Sequence, residues 1–288
     1  MSNKTLERGL ARITENVSRV HKKVTITQTN KSRRRILKGL STVAATGLLP
    51  KKLSAQTKMD TDILIIGGGF GLSWSIARLF SKEGMDVSIA SRNTEKYANL
   101  DSEIKLNLYN CDASIIEDVN KLFENIDKNT GTPDLVVYNP SARVRGPIGE
   151  LNPNEVKKAL EITSFGGFLV AQEAAKRMMK RGSGSIFFTG ATAGVKGFPN
   201  SSVFAMGKFA LRGLAQSLAR ELHPKNIHIG HFVIDGGISK SKYFGNNNNE
   251  NDALLDPDEI AKTYLNFYKQ NKSAWSWEIE IRPWVEKF

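Results

Sequence analysis

Short apolar runs alternate with stretches of helical periodicity through most of the chain. Residues 63–66 and 135–137 are continuous apolar runs, which is typical of strands buried on both faces. Residues 72–83 and 115–126 instead carry their apolar side chains at helical spacing. Strands separated by helices predict a parallel sheet covered on both faces. The pattern therefore predicts a doubly wound α/β fold of the Rossmann type, as a single domain over residues 59–288.

Charge is distributed very unevenly along the 288 residues, whose net charge is +12. Residues 1–60 hold 14 of the 41 Lys and Arg residues but only 3 of the 29 Asp and Glu residues. The remainder is nearly neutral, whereas a nucleic-acid-binding domain needs clustered positive charge on its folded surface. We therefore expect no nucleic-acid partner.

Cysteine and histidine exclude two further classes of site. Cys111 is the single cysteine, so neither an internal disulfide nor a Cys-rich zinc site is possible. The four histidines show no metal-ligand spacing, and we expect no metal site; they are His21, His223, His228 and His231.

The basic N-terminal segment resembles a twin-arginine export signal. Residues 32–38 read Ser-Arg-Arg-Arg-Ile-Leu-Lys, and the mildly apolar stretch 39–50 that follows is too short to span a bilayer. Leu53-Ser54-Ala55 resembles the small-residue cleavage site of an export leader, with cleavage expected before Gln56. We expect residues 1–58 to be a leader outside the fold, the protein to be periplasmic, and no segment to span the membrane.

Two other interpretations of this segment stay open. An Arg-rich, acid-poor N-terminus also describes an organelle transit peptide. Alternatively, translation starts at Met59, just before the first predicted strand, and the protein is cytoplasmic.

A glycine-rich turn joins the first predicted strand to the first predicted helix. Residues 67–73 read Gly-Gly-Gly-Phe-Gly-Leu-Ser, and glycines at this place let the backbone approach a pyrophosphate at a helix N-terminus. Here the chain resembles a short-chain dehydrogenase/reductase, whose first motif is G-x-x-x-G-x-G. Gly67 and Gly71 match that motif, and Ser73 replaces its last glycine. The resemblance extends from about Asp62 to the C-terminus.

The resemblance implies a nicotinamide cofactor and the residues that hold it. Arg92 follows the second strand, where no carboxylate is available for a ribose hydroxyl, so NADP(H) is favoured over NAD(H). Asp235 departs from the family pattern, which has proline there. The cofactor-binding positions implied are Gly67, Gly71, Leu72, Arg92, Asp112, Ala113, Asn139, Lys208 and Ile238.

The catalytic positions of the family are mostly replaced in this chain. The family uses a tyrosine as proton donor, a lysine four residues later, a serine thirteen residues before the tyrosine, and an asparagine in the preceding long helix. Lys208 retains the lysine, whereas Phe204, Ala191 and Thr163 occupy the tyrosine, serine and asparagine positions. Phenylalanine and alanine side chains can neither exchange protons nor donate hydrogen bonds.

Three accounts of this loss stay open. The substrate is a conjugated C=C bond that needs no protein acid, or the protein binds NADP(H) without turnover, or other hydroxyls substitute. The candidate hydroxyls are Thr189, Thr192, Ser201, Ser202, Tyr138 and Tyr243. We expect an NAD(P)(H)-dependent oxidoreductase acting on a small carbonyl or conjugated substrate, with a non-catalytic NADP(H)-binding module as the alternative.

The C-terminal part suggests a substrate cover and a subunit interface. Residues 236–255 are expected to form a flexible cover over a small-molecule substrate. Trp275, Trp277 and Trp284 make the end of the chain rich in aromatic side chains, which dominate interface cores. Family members are commonly dimers or tetramers, and we expect a homodimer or homotetramer.

Overall fold

The computed structural model describes residues 61–97, 104–239 and 252–287. The predicted leader at residues 1–58, its export motif and Tyr243 all lie outside these residues. Among the described residues, no helix is both long and apolar enough to cross a membrane.

A seven-stranded parallel sheet forms the centre of the described fold. The strands are β1 Asp62–Ile66, β2 Asp86–Ser91, β3 Leu106–Asn110, β4 Leu135–Tyr138, β5 Gly184–Thr189, β6 Ile227–Ile234, β7 Gly237–Ile238, β8 Leu254–Leu255 and β9 Glu278–Ile281. The spatial order in the sheet is β3-β2-β1-β4-β5-β6-β9, so successive strands are added on one side of β1 up to β3 and on its other side from β4 onward. In the described residues, a short parallel pair, β7 with β8, lies outside this sheet.

Helices cover both faces of the sheet. The helices are α1 Leu72–Lys82, α2 Ile116–Asn129, α3 Pro153–Leu160, α4 Gly166–Arg181, α5 Ser202–Leu222 and α6 Pro257–Tyr268. Helices α1 and α6 pack on one face of the sheet, and α2, α4 and α5 contribute to the core on the other face.

The hydrophobic pattern anticipated this architecture. Every residue of β4 and of β6 is buried, as expected for strands sandwiched between two helical layers. The predicted doubly wound parallel sheet of the Rossmann type is confirmed, and the described residues form a single domain of this kind.

A π turn, which the sequence pattern does not predict, divides one helical segment. It spans Glu161–Phe165 and separates α3 from the longer α4. The extra residue of this turn interrupts the regular backbone hydrogen bonds of the helix, so that groups in the turn can bond to other segments. Ile162 O accepts a hydrogen bond from the Tyr138 hydroxyl, and Thr163 Oγ1 accepts one from Ala142 N at 3.0 Å.

Candidate active site

Two cavities lie at the carboxyl ends of the central strands. The main cavity has a volume of about 1010 Å³ and is lined by the segments that follow β4, β5 and β6. The side cavity has a volume of about 240 Å³ and is lined by the segments that follow β1, β2 and β3. Ser141 lines both, so the two cavities adjoin. Open α/β sheets bind ligands at this edge, where the strand order reverses.

The glycine turn borders the side cavity and has little room for side chains. Gly67 has a φ of +86°, and a Cβ there would lie 2.8 Å from the Pro140 side chain. A Cβ on Gly68 would meet the Tyr97 hydroxyl and the Ile89 side chain. A Cβ on Gly71 would meet nothing within 4 Å. Packing therefore demands Gly67 and Gly68, whereas a Cβ on Gly71 would meet no protein atom, and Gly71 lines neither cavity.

Ser73, which replaces the last glycine of the family motif, is fully buried and hydrogen-bonded. Its Oγ donates to Gly67 O at 2.6 Å and accepts from Asn139 Nδ2 at 2.7 Å. Asn139 lines the main cavity, so its contact with Ser73 ties the glycine turn to that cavity. Leu72, predicted to bind the cofactor, is buried in the core at the start of α1 and lines neither cavity.

The side cavity combines two cations with one carboxylate. Arg92, Asp112 and Ala113 line it as predicted, and Lys96, which the sequence analysis missed, joins them. Burial and the charge of Arg92 lower the pKa of Lys96, whose ammonium donates to Gly68 O. Lys96 lies in a short 3-10 turn, Glu95–Tyr97, and this turn brings its side chain to the glycines.

Asp112 is held as a carboxylate. Burial opposes its ionisation, but hydrogen bonds from Ser114 and the charges of Arg92 and Lys158 outweigh burial and lower the pKa of Asp112. Ser114 donates to Asp112 Oδ1 through its backbone N–H at 3.0 Å and its hydroxyl at 2.6 Å.

Lys208, Phe204 and Ala191 share the wall of the main cavity, as their spacing predicted. Lys208 is only 2% exposed, and its Nζ donates to Thr189 O at 2.6 Å. Burial, followed by the charge of Arg143, lowers the pKa of Lys208 to about 7. A lysine with this pKa can change protonation state near neutrality.

Thr163 does not reach the main cavity. It is 1% exposed, accepts a hydrogen bond from Ala142 N, and packs so closely on Gly207 that a Cβ there would lie 2.9 Å from the threonine side chain. Threonine at this position holds the segment after β4 against α5, and its hydroxyl is already used.

Three of the candidate hydroxyls already have hydrogen-bond partners, although two of them, Thr189 and Thr192, line the main cavity. Tyr138 is fully buried in the core, where burial raises the pKa of its phenol, so its candidacy as the replacement acid is wrong. Thr189 Oγ1 lies 2.8 Å from the Tyr264 hydroxyl, and Thr192 Oγ1 donates to Asp235. Ser201 lines the main cavity.

Asp235, which departs from the family pattern, acts as a connector. The residue is 5% exposed, its carboxylate lies 3.1 Å from Arg282, and it accepts the Thr192 hydroxyl. It thereby links the segments after β5, β6 and β9. Gly236 and Ile238 follow it on the cavity wall, so Ile238 stands where it was expected.

Arg143 and Arg145 also line the main cavity, and the sequence analysis missed both. The guanidinium carbon of Arg143 lies 4.2 Å from the centroid of the Phe204 ring. Burial and the neighbouring charge of Arg145 lower the pKa of Arg143. The signal was available as two arginines shortly after Asn139, but only the fold brings that segment over Phe204.

The aromatic C-terminal segment is partly used within the chain. Trp275 stacks on His228 at a centroid distance of 4.5 Å, and Trp277 packs partly buried against the core. Trp284 is 82% exposed. Among the described residues, no group of three or more His, Cys, Asp and Glu side chains is placed to hold a metal ion.

A family model for short chain dehydrogenases matches residues 61–251. The chain belongs to the short-chain dehydrogenase/reductase family. Its relatives include a 3-oxoacyl-[acyl-carrier-protein] reductase of Bos taurus, 28% identical over 173 residues that cover 59% of this chain and 73% of that protein.

Solved structures with the same fold include members of this family. A short-chain dehydrogenase from Rhodopseudomonas palustris is 34% identical, with a TM-score of 0.69 over 78% of this chain and 99% of that one. An alcohol dehydrogenase from the archaeon Thermococcus sibiricus, solved with 5-hydroxy-NADP, is 19% identical with a TM-score of 0.69 over 79% and 98% of the two chains. At that identity the second comparison shows the fold alone. This short-chain dehydrogenase/reductase thus has oxidoreductases as relatives.

Proposed function

We propose that this short-chain dehydrogenase/reductase is an NADP(H)-dependent oxidoreductase whose substrate needs no proton from a tyrosine. The observation that carries the proposal is the wall of the main cavity, where Lys208 persists beside the apolar Phe204 and Ala191. Because these two side chains cannot donate a proton, a C=C bond conjugated to a carbonyl suits the site better than an isolated ketone.

The residues present fit a dinucleotide. The crowded turn at Gly67 and Gly68 leaves only backbone beside the side cavity, and Gly71 leaves open space at the start of α1. Asp112 lines the side cavity, and Lys208 lines the main cavity together with Asn139, which is hydrogen-bonded to Ser73. NADPH, when bound, would supply a hydride.

Arg92 and Lys96 support a preference for the phosphorylated cofactor. Both line the side cavity, and the pKa of Lys96 is lowered in part by the charge of Arg92, so the two cations lie close together. A phosphate between them would relieve this repulsion. Arg92→Leu and Lys96→Met should each raise the Kd for NADPH and leave that for NADH unchanged. An equal loss for both cofactors would contradict the preference.

The chemistry follows from what the cavity provides. The β-carbon of an enone would accept the hydride, and the C=C electron pair would shift toward the carbonyl to form an enolate with its negative charge on the oxygen. Protonation of the α-carbon by solvent would then restore the carbonyl. In the wall of the cavity the Lys208 ammonium donates a hydrogen bond to Thr189 O, and the ring of Phe204 provides an apolar surface beside it.

A matched pair of substrates tests the proposal. The full chain is mixed with NADPH and either an enone or the saturated ketone of the same skeleton, and NADPH fluorescence is followed. We expect oxidation with the enone, and with the ketone a rate lower by about 10²–10⁴, the usual value of a positioned acid. Joint replacement Phe204→Tyr and Ala191→Ser should raise ketone reduction. Saturable NADPH binding without turnover of any substrate would refute the proposal and leave a cofactor-binding protein.

We also propose self-association as a homodimer or homotetramer. Helix α5 packs beside the π turn and α4, and these elements expose Phe165, Phe168, Met206 and Phe209, each more than 40% accessible. Exposed apolar groups of this size mark interaction surfaces. Sedimentation of the full chain should give more than one copy, and Phe168→Glu with Phe209→Glu should give the monomer. A monomeric parent chain would refute this.

For location, we propose export by the twin-arginine route, on the basis of residues 32–38. Replacing Arg33 and Arg34 with lysine should keep the protein in the cytoplasm, as followed by fractionation. Continued appearance outside the cytoplasm would contradict the route.

A further inference from the structure

The main cavity carries more positive charge than its own residues neutralise. Arg143 and Arg145 line it, and neither forms an ion pair or a side-chain hydrogen bond with another residue in the described ranges. The buried Lys208 lies in the same wall and adds positive charge when it is protonated. Burial, followed by the charge of Arg143, lowers the pKa of Lys208. Burial, followed by the charge of Arg145, lowers the pKa of Arg143.

The acidic residues of this cavity do not compensate. Asp235 is committed to Arg282 at 3.1 Å and to the Thr192 hydroxyl. Glu286 lines the cavity and is exposed, as Arg143 and Arg145 are, but within the described residues it forms no ion pair with either arginine. An anion entering the cavity would therefore meet an arginine that has no carboxylate partner.

The Arg143 side chain is exposed to solvent, and the ring of Phe204 is its packing partner. The Arg143 guanidinium lies 4.2 Å from the ring centroid, within the range of a cation–π contact. Stacking uses the face of the guanidinium and leaves its N–H edge available for a planar, bidentate acceptor. The ring that lacks a catalytic hydroxyl thus acts as a platform for a cation, at the position where the family has its proton donor.

We propose that Arg143, supported by Phe204, binds a carboxylate of the substrate, so that the substrate class is a small oxo- or enone-carboxylate. This rests on the function proposed above, since it names the substrate of the same site. Arg145 strengthens the field without a fixed contact. A bidentate arginine discriminates a carboxylate from an isosteric amide by charge and by geometry.

Binding of a matched pair tests the assignment without turnover. The full chain, saturated with NADP⁺, is titrated calorimetrically with 4-oxopentanoate and with the isosteric 4-oxopentanamide. We expect the acid to bind tighter by about 10–100-fold, as a charge-assisted hydrogen bond provides. Equal affinities would overturn the proposal.

Variants locate the effect. Arg143→Met should bring the acid to the affinity of the amide, whereas the exposed Arg220→Met, remote from the cavity, should not change the preference. Phe204→Leu should weaken acid binding, while Phe204→Tyr, which keeps the ring, should preserve it. Retained acid preference in Arg143→Met would overturn the assignment.

The cofactor phosphates are the other anion available to Arg143. If the proposal holds, Arg143→Met leaves the Kd for NADPH within about twofold of the parent value, an energy well below one charged hydrogen bond. A loss of NADPH affinity as large as that of the acid would overturn it. Selective acid binding with no turnover of an enone-carboxylate would instead refute the oxidoreductase and support the carboxylate site.

Discussion

Replacing Lys208 with methionine should stabilise the fold while removing cofactor binding. Lys208 is almost completely buried, and the one hydrogen bond it donates within the described residues goes to Thr189 O at 2.6 Å. Burial lowers its pKa from 10.5 to about 7. Methionine has similar length and no charge to desolvate, so it fills the same space without that cost.

The magnitude follows from linkage. Each pKa unit corresponds to about 1.4 kcal/mol, so the shift represents an upper limit of about 5 kcal/mol against the charged folded state. Loss of the hydrogen bond to Thr189 O offsets about 1–2 kcal/mol of this. We therefore expect Lys208→Met to raise the free energy of unfolding by about 2–4 kcal/mol at pH 6.

The sign also fixes a pH dependence. Because the folded pKa is below the unfolded one, the unfolded chain binds more protons between pH 7 and about 10.5, and stability rises with pH across this window. Lys208→Met should lose this contribution, so that the gap between variant and parent narrows as the pH is raised.

Urea unfolding at pH 6 and pH 9 measures both effects, with the exposed Lys225→Met as the control for removing a charge. NADPH titration of the same samples measures the functional loss. A variant less stable than the parent at pH 6, or a stability gap independent of pH, would refute the argument from desolvation.

Three further predictions concern other sites. Gly67→Ala should lower the free energy of unfolding by about 1–3 kcal/mol, because Gly67 has a positive φ and a Cβ there would contact Pro140; urea unfolding measures this. Gly71→Ala, whose Cβ would meet no protein atom, should weaken NADPH binding, as measured by titration. The pKa of His228 is lowered to about 4 by burial, so acidification from pH 6.5 to 4 should cost on the order of 3 kcal/mol, a loss that His228→Phe reduces in urea unfolding. Arg212→Met breaks a bidentate pair with Glu278 at 2.6 and 2.8 Å and, as both groups are partly exposed, should lower the unfolding free energy by about 1–2 kcal/mol; no change in Tm would contradict it.

The hydrophobic pattern predicted the sheet because burial on both faces directly requires apolar residues along each strand. Strands covered on both faces must be continuously apolar, and the runs within β1 and β4 satisfied that condition. The π turn escaped prediction because its cause is tertiary. Ile162 and Thr163 accept hydrogen bonds from Tyr138 and Ala142, and nothing local distinguishes such a turn from regular helix.

The site was predictable where it depends on fixed spacing in the chain. Lys208, Phe204 and Ala191 share one wall because α5 and the segment after β5 hold them there. Lys96 and Arg143 were missed because each reaches its cavity from a segment whose path depends on side-chain contacts. A polar residue in such a segment has no periodic signal, and its contact with Gly68 or Phe204 exists only in the folded chain.

The altered residues of the main cavity act as one set. The buried Lys208 lowers the stability of the fold, so we expect it to serve the binding of a ligand. The centroid of the Phe204 ring lies 5.9 Å from the Lys208 ammonium, and the ring offers it no hydrogen bond. The same ring carries the Arg143 guanidinium, so restoring tyrosine alone would place a phenol beneath a cation already stacked there. Phe204→Tyr should therefore lower the pKa of the new phenol through both cations, yet gain little ketone reduction until Ala191→Ser supplies a hydrogen bond to the carbonyl. Full ketone reduction by Phe204→Tyr alone would show that the serine position is dispensable in this cavity.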